Sequence, residues 1–216
     1  MRRAKDIQGI YDVLLKRYGP QGWWPGNTRF EVITGAILTQ NTAWTNVEKA
    51  IANLKKARIL HPEAMREASI KTLASLIRPA GYYNIKAKRL KNFLAFLFSR
   101  YGGSLGRMAK APTETLRREL LSVNGIGPET CDSILLYAFG RPVFVVDAYT
   151  KRIFSRIGLV DEAESYDEVK AFFESNLPRK APLYNEYHAL IVRHGKETCR
   201  TKPRCEGCCL RSMCAY

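Results

Sequence analysis

Five of the six cysteines in this 216-residue chain lie within its last eighteen residues. Four of them follow the spacing C-x5-C-x2-C-x5-C, and these are Cys199, Cys205, Cys208 and Cys214. Closely spaced thiols near a chain end are more typical of a metal or cluster site than of a set of disulfides. The extra thiol, Cys209, directly follows Cys208 and could compete with it. Because four thiolates also satisfy tetrahedral Zn²⁺, the ligand chemistry alone leaves zinc and iron–sulfur open.

A Gly-x-Gly turn, Gly125-Ile126-Gly127, lies between two stretches with helical character. Glycines permit a tight turn there and allow backbone N–H groups to approach a phosphate, aided by the N-terminus of the following helix. We expect Ile126 to pin the turn from inside and Pro128 to suit the first turn of the next helix. An ordinary helix–helix turn has the same composition, so this motif alone does not decide between the two.

Asp147 follows the apolar run Phe144-Val145-Val146 and opens another helical stretch. An Asp at this place is a natural N-cap. A carboxylate beside apolar residues is also partly desolvated, so it can stabilise a cationic, sugar-like transition state or activate a water molecule. Capping and catalysis both remain open for this residue.

The bulk composition favours a polyanionic partner. The formal net charge is +15 and the pI is about 9.7, an excess for which nucleic acid is the commonest partner. No window approaches 18 consecutive apolar residues, so we expect no transmembrane helix. The first residues resemble an amphipathic helix more than a signal core, which predicts a cytoplasmic, nucleoid-associated protein with reduced thiols and no membrane partner.

Helical periodicity dominates the chain and predicts an all-α fold. Apolar residues recur at i, i+3, i+4 and i+7 from Ile7 to Tyr18 and from Leu90 to Tyr101, and Gly19-Pro20 and Gly102-Gly103 end these two helices. Val143 to Val146 is too short to define a sheet. Further helices are predicted over residues 28–38, 43–58, 70–77, 112–122, 128–140, 147–157, 166–176 and 183–195.

Several of these motifs together resemble a known family. Leu121 to Ala138, followed by Val145-Val146-Asp147, resembles the helix-hairpin-helix plus Gly/Pro-Asp (HhH-GPD) signature of the DNA glycosylase superfamily that includes endonuclease III. Residues 81–88 and 38–42 are similar to two other stretches of that superfamily. The terminal cysteines resemble its [4Fe-4S] motif, although the first gap is one residue shorter than usual. The resemblance covers nearly the whole chain, with the motifs in the expected order.

The resemblance implies two helical lobes of the endonuclease III type with a C-terminal [4Fe-4S] cluster loop. Residues 27–136 would form a central domain that contains the hairpin. Residues 1–26 with 137–216 would form the second lobe, in which Cys199, Cys205, Cys208 and Cys214 bind the cluster. A colourless structural zinc site is the alternative.

One departure from the family pattern concerns the reaction. Bifunctional endonuclease III enzymes place a lysine two residues after the second hairpin glycine, where its amine forms a Schiff base with the sugar. Glu129 occupies that position here, and a carboxylate cannot form an imine. The resemblance therefore implies a monofunctional glycosylase without AP lyase activity, in which Asp147 assists departure of the base and attack by water.

The tryptophans indicate the substrate class. Trp23-Trp24-Pro25 and Trp44 are similar in placement to residues of bacterial 3-methyladenine DNA glycosylases, where a stacked aromatic pocket holds the flipped base. A cationic alkylated purine suits such a pocket, because an electron-rich indole face attracts a positive ring. By the same resemblance Lys196 could line the pocket, although a cation there is unattractive unless it is neutralised. Packing in a core or between lobes is the ordinary role of tryptophan.

The resemblance also implies the contacts with double-stranded DNA. Gln40 would fill the gap left by the flipped nucleotide and Tyr82 would wedge against the opposite strand, although a capping glutamine and a core tyrosine are ordinary alternatives. Lys86, Lys88, Arg89 and Lys91 would form a basic face near phosphates. Other residues expected at the DNA are Asn84, Gly125, Ile126, Gly127 and Glu129.

The leading hypothesis is a monomeric glycosylase of base excision repair that removes alkylated purines such as 3-methyladenine. Two alternatives remain: an endonuclease III-like enzyme for oxidised or mismatched bases, and a non-catalytic DNA-binding module. Cys131 is expected to be buried. His61, His188 and His194 suggest no metal site, and core or surface roles are expected for them.

Overall fold

The computed structural model describes residues 4–216, with side chains from residue 7 onward. Helices formed by the described residues account for 64% of the chain, and no strand occurs among those residues, which confirms the all-α prediction. Within that part of the chain, no helix combines the length and the apolar character needed to cross a membrane. The α-helices of the described residues are α1 (Ala4–Tyr18), α2 (Arg29–Leu38), α3 (Trp44–Lys56), α4 (Pro62–Glu67), α5 (Ile70–Leu76), α6 (Tyr83–Tyr101), α7 (Leu105–Met108), α8 (Thr113–Leu121), α9 (Pro128–Ser133), α10 (Ala148–Ile157), α11 (Tyr166–Asn176) and α12 (Ala181–Glu197).

The periodic helices lie where the sequence predicts them, with small shifts at their ends. Gly19 and Gly102 adopt positive φ angles of 67° and 57° directly after α1 and α6, as expected of helix-ending glycines. The predicted helix over 128–140 begins at Pro128, but after Ser133 it continues as a π-helical segment, Ile134–Ala138. Helices α4 and α7 were not predicted, because six and four residues are too few to show a helical period.

The chain divides into two compact units. One is Pro25–Phe139, and the other combines the residues up to Trp24 with Gly140–Tyr216. The sequence analysis set the limits of the first unit at 27 and 136.

Helix α2 is the central element of the Pro25–Phe139 unit. Every residue from Phe30 to Leu38 is buried, because the sequence FEVITGAIL is apolar around nearly the whole helix. Its N-terminus is capped by Thr28, whose side chain accepts a hydrogen bond from Glu31 N at 3.1 Å. Helices α3, α6 and α9 contact α2, and together they fix the segment at its C-terminal end, which contains Gln40.

An aromatic core holds the second unit together. The rings of Phe144 and Phe173 stack with centroids 4.0 Å apart, and Phe154 and Tyr187 meet them edge-on. Tyr187 also donates a hydrogen bond to Ile7 O at 2.7 Å, which ties α12 to α1. Helices α10 and α12 pack against each other within this unit. Asp147, a candidate catalytic residue, directly precedes α10, so the packing of α10 against α12 holds it in place.

Candidate active site

The hairpin of the Pro25–Phe139 unit has the backbone that its sequence predicts. Gly125 adopts a φ of +94°, and a Cβ there would lie 2.3 Å from Arg89 Cγ, so both conformation and space favour glycine. Ile126 is 4% exposed and pins the turn from inside, as expected. Pro128 opens α9, while Gly127 and Glu129 are exposed.

Gln40 is hydrogen-bonded to this hairpin. Its Nε2 donates to Gly125 O at 3.0 Å and to Thr130 Oγ1 at 2.9 Å, and its Oε1 accepts from Arg89 Nη1. These bonds join the segment after α2 to the hairpin 85 residues later. The structure therefore brings together Gln40, Arg89 and Gly125, three residues from three separate sequence motifs.

The turn before α6 presents exposed side chains. Tyr82 has a φ of +45° and is 67% exposed, so it is not a core residue. Asn84 is exposed in the first turn of α6, and Ile85 is 51% exposed one position later. Exposed aromatic and apolar side chains beside a basic helix are available to a partner.

The expected basic face on α6 is wrong for two of its four members. Lys86 is 1% exposed, and its ammonium donates to Leu38 O, Thr42 Oγ1 and Ala80 O at 2.7–2.8 Å. Burial and the charge of Arg89 lower the pKa of Lys86 to about 8. Lys91 donates to carbonyl groups at the end of α4, including Met65 O at 3.0 Å. Lysines whose ammonium groups hold protein carbonyls are not free to contact phosphates, whereas Lys88 is exposed.

Asp147 caps α10 and lies in a largely buried place. Its Oδ1 accepts hydrogen bonds from Thr150 N at 2.7 Å and from Thr150 Oγ1 at 2.9 Å. Its Oδ2 lies 3.6 Å from His188 Nε2, and only 11% of the side chain is exposed. Burial alone would raise the pKa of the carboxyl, but His188 and the two Thr150 donors outweigh it and lower the pKa below its usual value. The arrangement therefore holds an ionised carboxylate at the edge of an apolar core.

The residues expected at the base pocket are distributed over both units. Trp23 and Trp24 are half-buried, with ring centroids 5.4 Å apart at 68°. Pro25 and Trp44 line a pocket of about 220 Å³ in the Pro25–Phe139 unit, together with the charged residues Glu31, Glu48 and Lys55. Lys196 is exposed in the last turn of α12.

The four cysteines of the predicted ligand set line one pocket. Cys199, Cys205, Cys208 and Cys214 all border it, and His194 Nε2 lies 3.8 Å from Cys208 Sγ. Burial raises the pKa of the Cys208 thiol, and the nearby charges of the other three thiols raise it further. Among the side chains that the structure describes, from residue 7 onward, no three His, Cys, Asp or Glu groups are close enough together to hold one metal ion. The thiols share a pocket without crowding around a single centre.

Cys209 is not among the residues that line this pocket, and its thiol is close enough to Cys208, and to Tyr18 and Arg17 of α1, for their charges to interact. Cys208, and not Cys209, therefore borders the pocket that the other three cysteines line. Four thiols that border one pocket are the donor set of a group that is bound by four thiolates.

Two arginines on α10 fasten the cysteine-rich segment. Arg152 Nε donates to Cys199 O at 2.9 Å, and Arg156 Nη1 donates to Arg200 O at 2.7 Å and lies 3.4 Å from Cys199 Sγ. The sequence analysis did not identify these residues. The sequence held one signal for them: they are four residues apart on α10, and this spacing places both side chains on one face of the helix.

Two of the three histidines, His188 and His194, lie in the core, and the third lies at the surface. Core or surface roles were the expectation for all three. His188 is 6% and His194 is 1% exposed, and burial lowers the pKa of His194 to about 4, so its ring is neutral at neutral pH. His61 is a surface residue that pairs with Glu63 at 2.7 Å. Their places beside Asp147 and Cys208 could not be read from the sequence, because they depend on how α12 packs.

Comparison with known proteins decides the family. Residues 34–179 match the family model described as HhH-GPD superfamily base excision DNA repair protein, a segment that contains both the hairpin and Asp147. The chain belongs to the HhH-GPD superfamily. It is thus a member of the helix-hairpin-helix family of base excision DNA glycosylases, as the sequence motifs indicated.

Two relatives show how much of the chain this family covers. A protein of Methanocaldococcus jannaschii, provisionally named a DNA repair glycosylase, is 54% identical over 210 residues, which is 96% of this chain and 95% of that protein. An endonuclease III of Sulfolobus acidocaldarius is 30% identical over 195 residues, covering 88% of this chain and 84% of the relative.

Solved structures of this superfamily have the same architecture. The H. pylori 3-methyladenine DNA glycosylase bound to 1,N6-ethenoadenine aligns with a TM-score of 0.75 and 32% identity over 90% of this chain and 95% of that one. An endonuclease III in a non-covalent DNA complex aligns with a TM-score of 0.82 over 99% and 96% of the two chains. Its identity is 23%, so this second likeness concerns the fold alone.

Proposed function

We propose that this member of the HhH-GPD superfamily is a monofunctional DNA glycosylase that hydrolyses the N-glycosidic bond of cationic alkylated purines such as 3-methyladenine. The observation that carries the reaction is the ionised, largely buried carboxylate of Asp147. As the bond breaks, its electrons return to the base and positive charge develops on the sugar. A fixed carboxylate at low dielectric stabilises that charge, and water then completes the hydrolysis.

The absence of an amine nucleophile at the hairpin motivates the monofunctional assignment. Glu129 is exposed in the first turn of α9, where the bifunctional pattern has lysine. Its carboxylate gains from the partial positive charge at the helix N-terminus and cannot form an imine with the sugar. The expected product is an intact strand with an abasic site.

Aromatic and acidic groups support the choice of a cationic base. Trp23, Trp24, Pro25 and Trp44 would stack on the flipped purine. Glu31 and Glu48 add negative charge beside Pro25 and Trp44. Glu31 is already paired with Lys55 at 2.6 Å, which leaves Glu48 as the more exposed of the two. Negative charge and an indole face both attract a positive ring, while a neutral base gains less from them. The similarity to a 3-methyladenine DNA glycosylase points the same way.

The remaining site residues are proposed to contact damaged double-stranded DNA, which the protein would bind as a monomer. On DNA binding, Gln40 would break its hydrogen bond to Gly125 O and fill the space left by the flipped nucleotide. The exposed Tyr82 would wedge against the opposite strand. The backbone of Gly125 to Gly127 would approach a phosphate. Asn84, two residues after Tyr82, would also contact the DNA. Lys196 is proposed as a pocket or phosphate contact from the end of α12.

We propose that Cys199, Cys205, Cys208 and Cys214 bind a [4Fe-4S] cluster. The support is a pocket that all four border, while Cys209 lies near α1. When bound, the cluster would supply structure, because its ligands span the exposed basic residues Lys202, Arg204 and Arg211. Structural zinc is the competing assignment.

The substrate class is tested with matched bases in the same DNA sequence. Release of cationic 7-methylguanine or 3-methyladenine is compared with release of neutral hypoxanthine, for the wild type and for Trp44→Ala. We expect Trp44→Ala to slow release of the methylated purines by about tenfold or more, since a lost aromatic stack on a base costs about 1–3 kcal/mol. An unchanged rate for Trp44→Ala would contradict the stacking role.

A second candidate function is favoured by the 30% identity to an endonuclease III. In that case the substrate would be an oxidised or mismatched base. Oligonucleotides that contain oxidised pyrimidines or mismatches, assayed beside methylated DNA, separate the two functions. Faster release from the oxidised or mismatched DNA would favour this second candidate.

A further inference from the structure

The two oxygens of the Asp147 carboxylate have different surroundings. Oδ1 accepts both hydrogen bonds from Thr150, at 2.7 and 2.9 Å, and is committed to capping α10. Oδ2 takes no part in that cap and faces His188 Nε2 at 3.6 Å. The chemistry under "Proposed function" needs a carboxylate oxygen that is free of the cap, so Oδ2 is the one able to face the sugar.

His188 is fixed with respect to that oxygen by the packing of its helix. It lies on α12, which packs against α10, and only 8% of its side chain is exposed. The neighbouring Tyr187 is fully buried and bonded to Ile7 O at 2.7 Å, so the α12 backbone cannot rotate at this point without breaking the aromatic core. An imidazole on such an element is a preorganised group.

We propose that His188 is a positioning residue that holds Asp147 Oδ2 in the catalytic orientation by presenting Nε2–H to it, an inference that rests on the proposed role of Asp147. The separation of 3.6 Å is longer than a hydrogen bond, which spans about 2.7–3.2 Å. Catalytic hydrogen bonds are commonly long in free enzymes and shorten when the substrate binds. With Thr150 on one oxygen and His188 on the other, the carboxylate plane has one orientation, and Oδ2 keeps a lone pair for the developing sugar cation.

The test separates orientation of the carboxylate from general stability. His188→Leu removes the donor, and His188→Gln keeps an N–H at the end of a side chain of comparable reach. His61→Leu is the matched control, because the His61 side chain is 70% exposed and pairs with Glu63 at the surface. Single-turnover release of methylpurines gives the rate, and thermal unfolding gives the stability.

A second readout does not depend on the damaged base. Duplexes that contain a cationic pyrrolidine abasic analogue or a neutral tetrahydrofuran analogue are bound by each variant, and the ratio of the two Kd values reports the carboxylate. We expect His188→Leu to slow release by about a hundredfold, the order seen when one preorganised donor is lost. It should also reduce the preference for pyrrolidine while leaving tetrahydrofuran affinity unchanged, and His188→Gln should recover most of both losses.

A double variant distinguishes action through Asp147 from action elsewhere. In the Asp147→Asn background, His188→Leu should cause little further loss of rate. Full additivity of the two losses, or an unchanged pyrrolidine preference in His188→Leu, would overturn the proposal. Should His188→Leu not fold, His188→Asn replaces it, because its shorter amide cannot reach Oδ2.

The two proposals fail in different ways. A wild type that releases no methylpurine, yet prefers pyrrolidine DNA in a manner that requires both Asp147 and His188, would contradict the substrate assignment and support the role of His188. If the wild type releases methylpurine and His188→Leu matches it in rate and in pyrrolidine preference, the substrate assignment is supported and the role of His188 is contradicted.

Discussion

Asp147 and Thr150 are joined by two hydrogen bonds to one oxygen. The backbone N of Thr150 donates to Asp147 Oδ1 at 2.7 Å, and Thr150 Oγ1 donates to the same oxygen at 2.9 Å. Capping and catalysis, which the sequence left as alternatives for Asp147, are therefore compatible in one side chain. The cap uses Oδ1 and leaves Oδ2 available for the proposed chemistry.

Asp147→Asn should abolish most base release without loss of the fold. Asparagine caps helices about as well as aspartate, so the unfolding midpoint should change little. The charge that stabilises the sugar cation is lost, and the rate should fall by at least about 10²–10³-fold. Single-turnover release and binding to tetrahydrofuran-containing DNA are measured together. Full activity in this variant would show that Asp147 is not the catalytic group.

Protonation of the Asp147 carboxyl should not lower the rate of base release between about pH 5 and 8. The pKa of its carboxyl is lowered, so the ionised form persists as pH falls below the usual aspartate value, near 4, and is lost only at the lower folded pKa. Between about pH 5 and 8 we therefore expect no acidic limb from this group in kcat/KM. Spontaneous depurination is subtracted with a protein-free blank. An acidic limb near pH 6 that disappears in Asp147→Asn would mean that the pKa is raised instead.

Lys86→Met should destabilise the Pro25–Phe139 unit. The ammonium bonds Leu38 O, Thr42 Oγ1 and Ala80 O, and these acceptors would lose their donor. Removing the cost of a buried charge offsets part of this loss, which leaves an expected decrease of about 2 kcal/mol in the free energy of unfolding. Denaturant unfolding measures it.

Lys88→Met is the matched control for this prediction, because Lys88 is exposed on the same helix. Its effect should stay within about 0.5 kcal/mol. Equal stability of the two variants would show that the bonds of the Lys86 ammonium contribute nothing net.

Two adjacent cysteines should behave differently on substitution. Cys208→Ser removes a residue that lines the four-thiol pocket, whereas Cys209→Ser alters a residue near α1. We expect about four irons and four sulfides per chain in the wild type and in Cys209→Ser, and a strong decrease in Cys208→Ser. Iron, sulfide and zinc are quantified in the purified proteins. One zinc and no iron in protein purified without oxygen would contradict the cluster.

Local features of this chain could be predicted from sequence, because short-range chemistry fixes them. Ile126 is buried in the turn, Pro128 opens α9, and Asp147 caps α10. Each depends on residues within about one helical turn. The periodic helices belong to the same class, since an amphipathic pattern is a property of the segment itself.

Features that depend on long-range packing were not predicted. Lys86 was expected near phosphates, but its acceptor Leu38 O comes from a helix 48 residues earlier. That Cys208 borders the four-thiol pocket while Cys209 lies near α1 depends on packing against a helix almost two hundred residues away in the sequence. His188 meets Asp147 only because α12 packs on α10. A pattern in one segment holds no information on which carbonyl or carboxylate another segment will present.

The central claim is tested most directly by incubating the purified protein with methylated DNA and scoring base release and strand nicking separately, with and without borohydride. The account predicts release of methylpurines, intact strands until alkali is added, and no protein–DNA adduct trapped by borohydride. Nicking together with a trapped adduct would contradict the monofunctional assignment based on Glu129. No release of methylpurines, with release of an oxidised or mismatched base instead, would contradict the proposed substrate class.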